Sequence, residues 1–322
     1  MAPNLEPGIE HRLRAAIDPQ LTQRVVMLAL AERAAPSRGG CRRQCQRRVD
    51  STRRHDGVIV QVVAETDRYR ASHERLAVEL TNRNVLVTGA TSGIGNQLAR
   101  QLAARGNRVF ACGRDPERLE DLRAVDGIEV IAAELSTAAD RTRLLDDVTR
   151  RGGVDIVVNN AGVQNLVDAH RPPAWDAIER ELAVNLAAPI HLVHLFLPQI
   201  IERSSAQRPG AIVNITSGLA LAPKASAAPY CAAKAGLRAY TTALRWQLRD
   251  DPVLVIEALP PLVKTPMTAG RNDDGISADD CAAAIVRGLE NDRRQIYVGK
   301  SALLRKVMRV SPRLGEKIMR DS

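Results

Sequence analysis

Asn84-Val-Leu-Val-Thr88-Gly89-Ala90-Thr91-Ser92-Gly93-Ile94-Gly95 is the stretch on which the fold of this chain turns. Three consecutive aliphatics make a short strand covered on both faces, and the strand runs straight into a glycine turn and a helical pattern. Glycine permits tight turning and close backbone approach, and a helix start leaves free N–H groups pointing at an anion. Gly89, Thr91, Ser92, Gly93, Ile94 and Gly95 are therefore the expected cradle of a dinucleotide pyrophosphate. The spacing is G-x-x-x-G-x-G, which departs from the commoner G-x-G-x-x-G turn.

On either side of this stretch, short apolar runs alternate with helical patterns. Strands are expected at Asn84–Thr88, Arg108–Cys112, Ile128–Ala132, Val154–Val158, Ala211–Thr216, Val253–Leu259 and Gln295–Gly299, and helices near 94–105, 115–123, 137–151, 174–202, 230–249 and 278–291. Apolar strands joined by crossover helices predict an α/β fold: one Rossmann-like domain over residues 78–322. Its doubly wound, seven-stranded parallel sheet should run 3-2-1-4-5-6-7, with three helices on each face. The second strand ends at Cys112-Gly113-Arg114. A carboxylate there would hold ribose hydroxyls, whereas a guanidinium matches a 2′-phosphate, so Arg114 favours NADP over NAD. The competing reading pairs Arg114 with its neighbour Asp115.

Composition sets the outer limits. The 322 residues are 45 % hydrophobic but only 2 % aromatic, so the core rests on Ala, Val, Leu and Ile. The net charge is +9, and residues 1–77 carry 14 Arg, no Lys and 9 acids. The remaining chain is weakly basic, which suits a polyanionic cofactor and leaves nucleic acid unneeded. Residues 1–77 read as an Arg-rich extension outside the native core, with a weak helix at Leu21–Ala34 and a weak strand at Val58–Ala64. An Arg-rich nucleic-acid or membrane arm is the other reading of that segment. Its apolar run Val25–Ala31 is too short to span a bilayer. The five cysteines have no framework spacing, which points to a reducing, cytoplasmic setting. Cys41 and Cys45 lack a second pair to complete a metal site.

Three further motifs follow in order. Asn159-Asn160-Ala161-Gly162 closes the fourth strand, Ser217 ends the fifth, and Tyr230-Cys-Ala-Ala-Lys234 opens a helix. Each alone is bland: a turn, strand punctuation, or a surface i,i+4 pair. Together with the glycine turn, over about residues 80–322, the chain resembles the short-chain dehydrogenase/reductase family. The resemblance implies Asn185, Ser217, Tyr230 and Lys234 as catalytic residues, with a dinucleotide also touching Asn160, Ala161, Gly162, Tyr230, Lys234, Val263 and Thr265. It implies a metal-free site, a small carbonyl or alcohol as substrate, and a homodimer or homotetramer. In this reading Tyr230 is the acid–base, its phenolate favoured by the neighbouring Lys234 ammonium. Ser217 polarises the substrate oxygen. Asn185 would disturb its helix and hold a water that relays protons to Lys234. The alternative is an NADP(H)-binding regulator that has lost turnover.

The chain also departs from the family pattern. Pro260-Pro261 stands where Pro-Gly is usual, and Glu134-Leu135 stands where an aspartate usually meets the adenine. Pro266–Ser277 is short for a lid, and Leu219, Leu221 and Pro223 suggest an apolar wall to an open pocket. His191 and His194 share the helix of Asn185, and packing or solvent explains them better than metal. The tail holding Leu303, Leu304, Val307, Met308, Leu314, Ile318 and Met319 is apolar and flanked by basic residues. Helix packing or a subunit contact accounts for it better than membrane attachment. Around Ser311-Pro312-Arg313-Leu314 it resembles a branch named for D-alanine esterification of teichoic acids, a label that does not establish the reaction.

Overall fold

Each central strand divides its aliphatics between two cores, and that alternation lets helices cover both sides of the sheet. The computed structural model describes residues 78–171, 174–270 and 274–320. The expectations placed on residues 1–77, including Leu21–Ala34, Val58–Ala64 and the Cys41/Cys45 pair, lie outside the described residues.

The parallel strands are β1 (Asn84–Thr88), β2 (Arg108–Gly113), β3 (Ile128–Ala132), β4 (Ile156–Asn159), β5 (Gly210–Ile215) and β6 (Val253–Leu259). Two short strands, β7 (Val263–Lys264) and β8 (Ile276–Ser277), pair with each other, and β9 (Gln295–Tyr297) returns to the main sheet. The sheet order is β3-β2-β1-β4-β5-β6-β9, all parallel, as the alternation of strands and crossover helices predicts. Strand ends shift by a residue or two: β2 continues to Gly113, β4 starts at Ile156, and β9 stops at Tyr297.

On one face, helices α1 (Gly93–Ala103) and α2 (Pro116–Arg123) pack with a later helix, Ala278–Glu290, against Val85, Val87, Val109, Ala111 and Ile156. On the other, α3 (Ala138–Arg150) joins two later helices, Ala188–Glu202 and Ala228–Gln247, against Leu86, Phe110, Val157 and Ile212. Three helices lie on each face, as expected. The single helix expected at 174–202 is instead α4 (Trp175–Leu182), a π-helical turn at Ala183–Ala187, and α5 (Ala188–Glu202). Trp175–Glu202 is long and apolar enough to cross a membrane by composition, yet Leu192, Val193, Phe196 and Ile200 are buried in the core beneath the sheet.

The helix of the Tyr-x-x-x-Lys motif is α6 (Ala228–Gln247), and Ala278–Glu290 is α7. After β9 the chain makes two helices, α8 (Lys300–Val310) and α9 (Pro312–Arg320). Gly315 lets α9 settle on α8: a Cβ there would stand 2.2 Å from Met308 Sδ.

Candidate active site

The C-terminal ends of β1, β4 and β5 open onto one cleft of about 560 Å³. At its floor the glycine turn is shaped by absent side chains. Gly89 and Gly93 have φ of +66° and +56°, which L side chains resist. A Cβ on Gly89 would lie 2.7 Å from Ala161 Cα. One on Gly95 would lie 2.3 Å from both the Gly89 oxygen and Asn160 Nδ2. Gly95 does not line the cleft; it is the packing point that lets α1 begin against the turn. Ser92 stands at the N-cap without capping through its side chain, so the first turn of α1 keeps its N–H groups for a ligand.

Asn160 and Ala161 strap β4 to that turn. Thr88 Oγ1 accepts from the Asn160 and Ala161 amides at 3.0 and 3.1 Å, and Asn160 Nδ2 donates to the Thr88 oxygen at 2.9 Å. Asn160, Ala161 and Gly162 border the cleft, while the Asn160 side chain is spent on the scaffold.

Tyr230 and Lys234 lie one helical turn apart on α6, and both line the cleft with Ser217. The Lys234 Nζ is 5.8 Å from the Tyr230 ring centroid and donates to the Ile215 oxygen at 2.9 Å. Lys234 is buried, and desolvation draws its pKa down from 10.5 to about 8. Ser217 Oγ accepts from the Leu219 amide at 3.1 Å, which fixes the hydroxyl at the cleft edge. Asn185 sits in the π-helical turn and does not line the cleft. Its Nδ2 donates to the Val163 oxygen at 2.7 Å and its Oδ1 accepts the Val163 amide at 3.3 Å, so it braces the strip beside Gly162.

Sequence reasoning missed how α6 is held. Asn159 Nδ2 donates to Asn214 Oδ1, and Asn214 Nδ2 donates to Thr241 Oγ1, a buried polar chain from β4 through β5 to α6. Arg238 Nη1 donates to both oxygens of the fully buried Glu257 at 3.1 Å. Lys234, Arg238 and Thr241 recur at helical spacing, a signal in principle readable, but their partners lie on other strands. Glu181 was also missed. It is fully buried, burial pushes its carboxyl pKa up, and its Oε2 accepts from the Asn165 amide and Nδ2 at 3.0 and 2.9 Å.

At the far end, Arg114 and Glu134 line the cleft with Leu135. Asp115 is not the partner of Arg114; it caps α2 and pairs with Arg118. Instead Glu134 Oε2 takes Arg114 Nη1 at 3.1 Å and Arg180 Nη2 at 2.8 Å. The Glu134 carboxylate thus sits between two guanidiniums. Leu135 O is held by Arg141, whose Nε also donates to His191 Nδ1 at 2.9 Å. Desolvation and the adjacent Arg141 charge lower the His191 pKa.

Val263 and Thr265 reach the cleft in spite of Pro261. The Pro260 oxygen accepts the Gly218 amide at 2.9 Å, so the double proline also anchors the turn after Ser217. Thr268 Oγ1 donates to the Val263 oxygen at 2.6 Å and accepts the Thr265 amide at 3.1 Å. The expected loop Pro266–Ser277 holds a 3₁₀ turn and β8. Of the expected apolar wall, Leu219 lines the cleft, but Leu221 and Pro223 do not. Leu262, Met267, Leu304 and Met319 line it as well, the last two from the C-terminal helices.

Residues 83–275 match the family model for short chain dehydrogenase. This chain belongs to the short-chain dehydrogenase family. It is 34 % identical over 228 residues to the uncharacterized oxidoreductase DltE of Bacillus subtilis, covering 68 % of this chain and 89 % of that protein. That relative carries the branch name which the tail resembles. A Burkholderia cenocepacia short chain dehydrogenase solved with NADP superposes with a TM-score of 0.67 at 23 % identity, over 75 % of this chain and 99 % of that one. A Burkholderia phymatum short chain dehydrogenase/reductase solved with NAD gives 0.64 at 22 % identity, over 72 % and 96 %.

Proposed function

We propose that this oxidoreductase interconverts a carbonyl and an alcohol with NADP(H), using Tyr230 as the general acid–base. The observation that carries this reading is convergence: Ser217, Tyr230 and Lys234 line the same cleft as Gly89, Gly93 and Arg114. A dinucleotide fits the residues present, because Gly89 and Gly93 line the cleft in the left-handed conformation of a tight turn and the first-turn N–H groups of α1 carry no side-chain cap. A bound nicotinamide would supply or accept the hydride. Gly89 to Ile94 would hold its pyrophosphate, and Val263 and Thr265 its carboxamide end. Leu135 and Ala161 would border the adenosine half.

Within the chain, Tyr230 Oη donates its proton to the substrate oxygen during reduction and takes it back during oxidation. The Lys234 ammonium stabilises the phenolate, an effect strengthened by its dry surroundings. Ser217 Oγ–H donates to the substrate oxygen, and Asn185 positions the Gly162–Val163 strip next to the Lys234 ammonium. Arg114, a guanidinium on the cleft at the end of β2, favours NADP, whose 2′-phosphate would take it over from Glu134. Against a silent regulator stands the presence of Ser217, Tyr230 and Lys234 on one cleft.

The test is NADPH consumption across a panel of apolar ketones and aldehydes, with Tyr230→Phe alongside. The expected result is turnover by the parent, and loss of at least about a hundredfold in the variant with NADPH affinity retained. Equal rates for the two proteins would overturn Tyr230 as the acid. Binding without consumption over the whole panel would favour a regulator.

A further inference from the structure

The α8–α9 hairpin has two dissimilar sides. Lys300, Ser301, Leu304 and Met319 face inward and line the cleft. Leu303, Val310, Leu314 and Ile318 face outward and are 62 %, 88 %, 50 % and 54 % exposed. Residues 303 and 310 are two helical turns apart and 314 and 318 one, so each pair shares a face of its helix. Packing explains Leu304, Val307, Met308 and Met319, which are buried or half-buried, and leaves the outward four unexplained. Between Lys300 and Arg320 there are seven cationic side chains and a single acid, Glu316. Lys306, Arg309, Arg313 and Lys317 are all exposed beside the outward aliphatics. Arg305 lies 4.5 Å above the Tyr297 ring, which ties the root of α8 to β9.

A second copy of this chain is a poor occupant for that face. A two-fold contact would set the same cationic patch against itself, and like charges at close range repel. An anionic bilayer satisfies both features at once: headgroups attract the cations, and the interfacial acyl region takes the aliphatics. We propose that the outer face of α8–α9 docks this protein onto anionic phospholipid membranes, with the cleft's C-terminal wall on the membrane side. The docking stands independently of the catalytic reading, since neither cofactor nor turnover enters it.

The experiment is vesicle co-sedimentation of the full chain, with phosphatidylcholine alone and with phosphatidylcholine partly replaced by phosphatidylglycerol. Binding should be at least about tenfold tighter to the anionic vesicles and should weaken as salt is raised. Combined Arg309→Glu, Arg313→Glu and Lys317→Glu should weaken it about a hundredfold or more. The same reversal at the exposed Arg118, Arg123 and Arg150 should leave it within about twofold, which separates a local patch from net charge. Replacing Leu303, Val310, Leu314 and Ile318 together with Ser should abolish the binding that persists at high salt. All these positions are exposed, and thermal melting checks that the variants stay folded. Equal affinity for neutral vesicles, no binding to anionic ones, or binding untouched by the hairpin reversal would each overturn the proposal. A dimer abolished by the four serines, without vesicle binding, would assign the face to self-association instead.

Discussion

Between β1 and β4 the cleft is shaped by backbone, and between β6 and α9 it is shaped by side chains. In the first region Gly89 meets Ala161 Cα, Gly95 meets the Gly89 carbonyl, and Gly113 leaves room for Thr91. In the second, Thr268 ties Val263 to Thr265, while Leu262, Leu304 and Met319 form the wall. The difference follows from what each region would hold. A pyrophosphate read by N–H groups needs side chains out of the way, a demand with few solutions. An apolar wall needs only bulk and shape, a demand that many residues meet.

The contrast breaks most visibly at Gly95. Gly95→Val puts carbon into the Gly89 oxygen and the Asn160 amide, both 2.3 Å from the Cβ position. The expected cost is about 3 kcal/mol or more, with dinucleotide affinity lost, read by urea denaturation and NADPH titration. A folded variant with normal affinity would show that the turn is not built by exclusion.

Lys234 belongs to neither region: it reaches the Ile215 oxygen at the end of β5, and its burial costs stability that the proposed chemistry would use. Its folded pKa of about 8 lies below the unfolded 10.5. Below pH 8 both states hold the proton, and the full penalty of burying the ammonium applies. From about 8 to 10.5 the folded state releases the proton while the unfolded state keeps it, so the parent gains stability as pH rises. Lys234→Met should therefore lose turnover yet be more stable by about 3 kcal/mol at pH 7, an advantage that shrinks toward pH 10. Denaturant midpoints at the two pH values check the sign, and a constant difference would contradict it.

Arg114→Asp should swing cofactor preference from NADPH toward NADH by about tenfold or more in kcat/KM. It also sets a second carboxylate near Glu134, leaving Arg180 to serve both. An unchanged preference would remove the guanidinium pair from the account. The smallest effect is expected in the side-chain region, where Thr268→Ala should cost about 1 kcal/mol and change KM for substrate more than kcat. A collapse of folding there would show that this region is as exacting as the glycine turn.

The same contrast explains what could be read from the sequence. Val85–Val87, the glycines, Asn160 and Tyr230–Lys234 are local signals, because each states its requirement within a few consecutive residues. The order of the seven main strands follows from such runs and the handedness of crossovers. Arg180 meeting Glu134, and Arg238 meeting Glu257, are ion pairs across 46 and 19 positions whose partners only the fold selects. Asp115 was the nearest acid to Arg114 in sequence but was claimed by the helix end it caps. The π-helical turn at Asn185 and the short β7–β8 pair carry too little periodicity to announce themselves. Leu221 and Pro223 read as wall residues, but α8 and α9 supply that side of the cleft.

The most direct test is a crystal structure with NADPH bound. The pyrophosphate is expected on the turn from Gly89 to Ile94, and nicotinamide C4 on the side of the cleft lined by Tyr230 and Ser217. A nicotinamide directed away from Tyr230, or a dinucleotide held elsewhere on the chain, would contradict it.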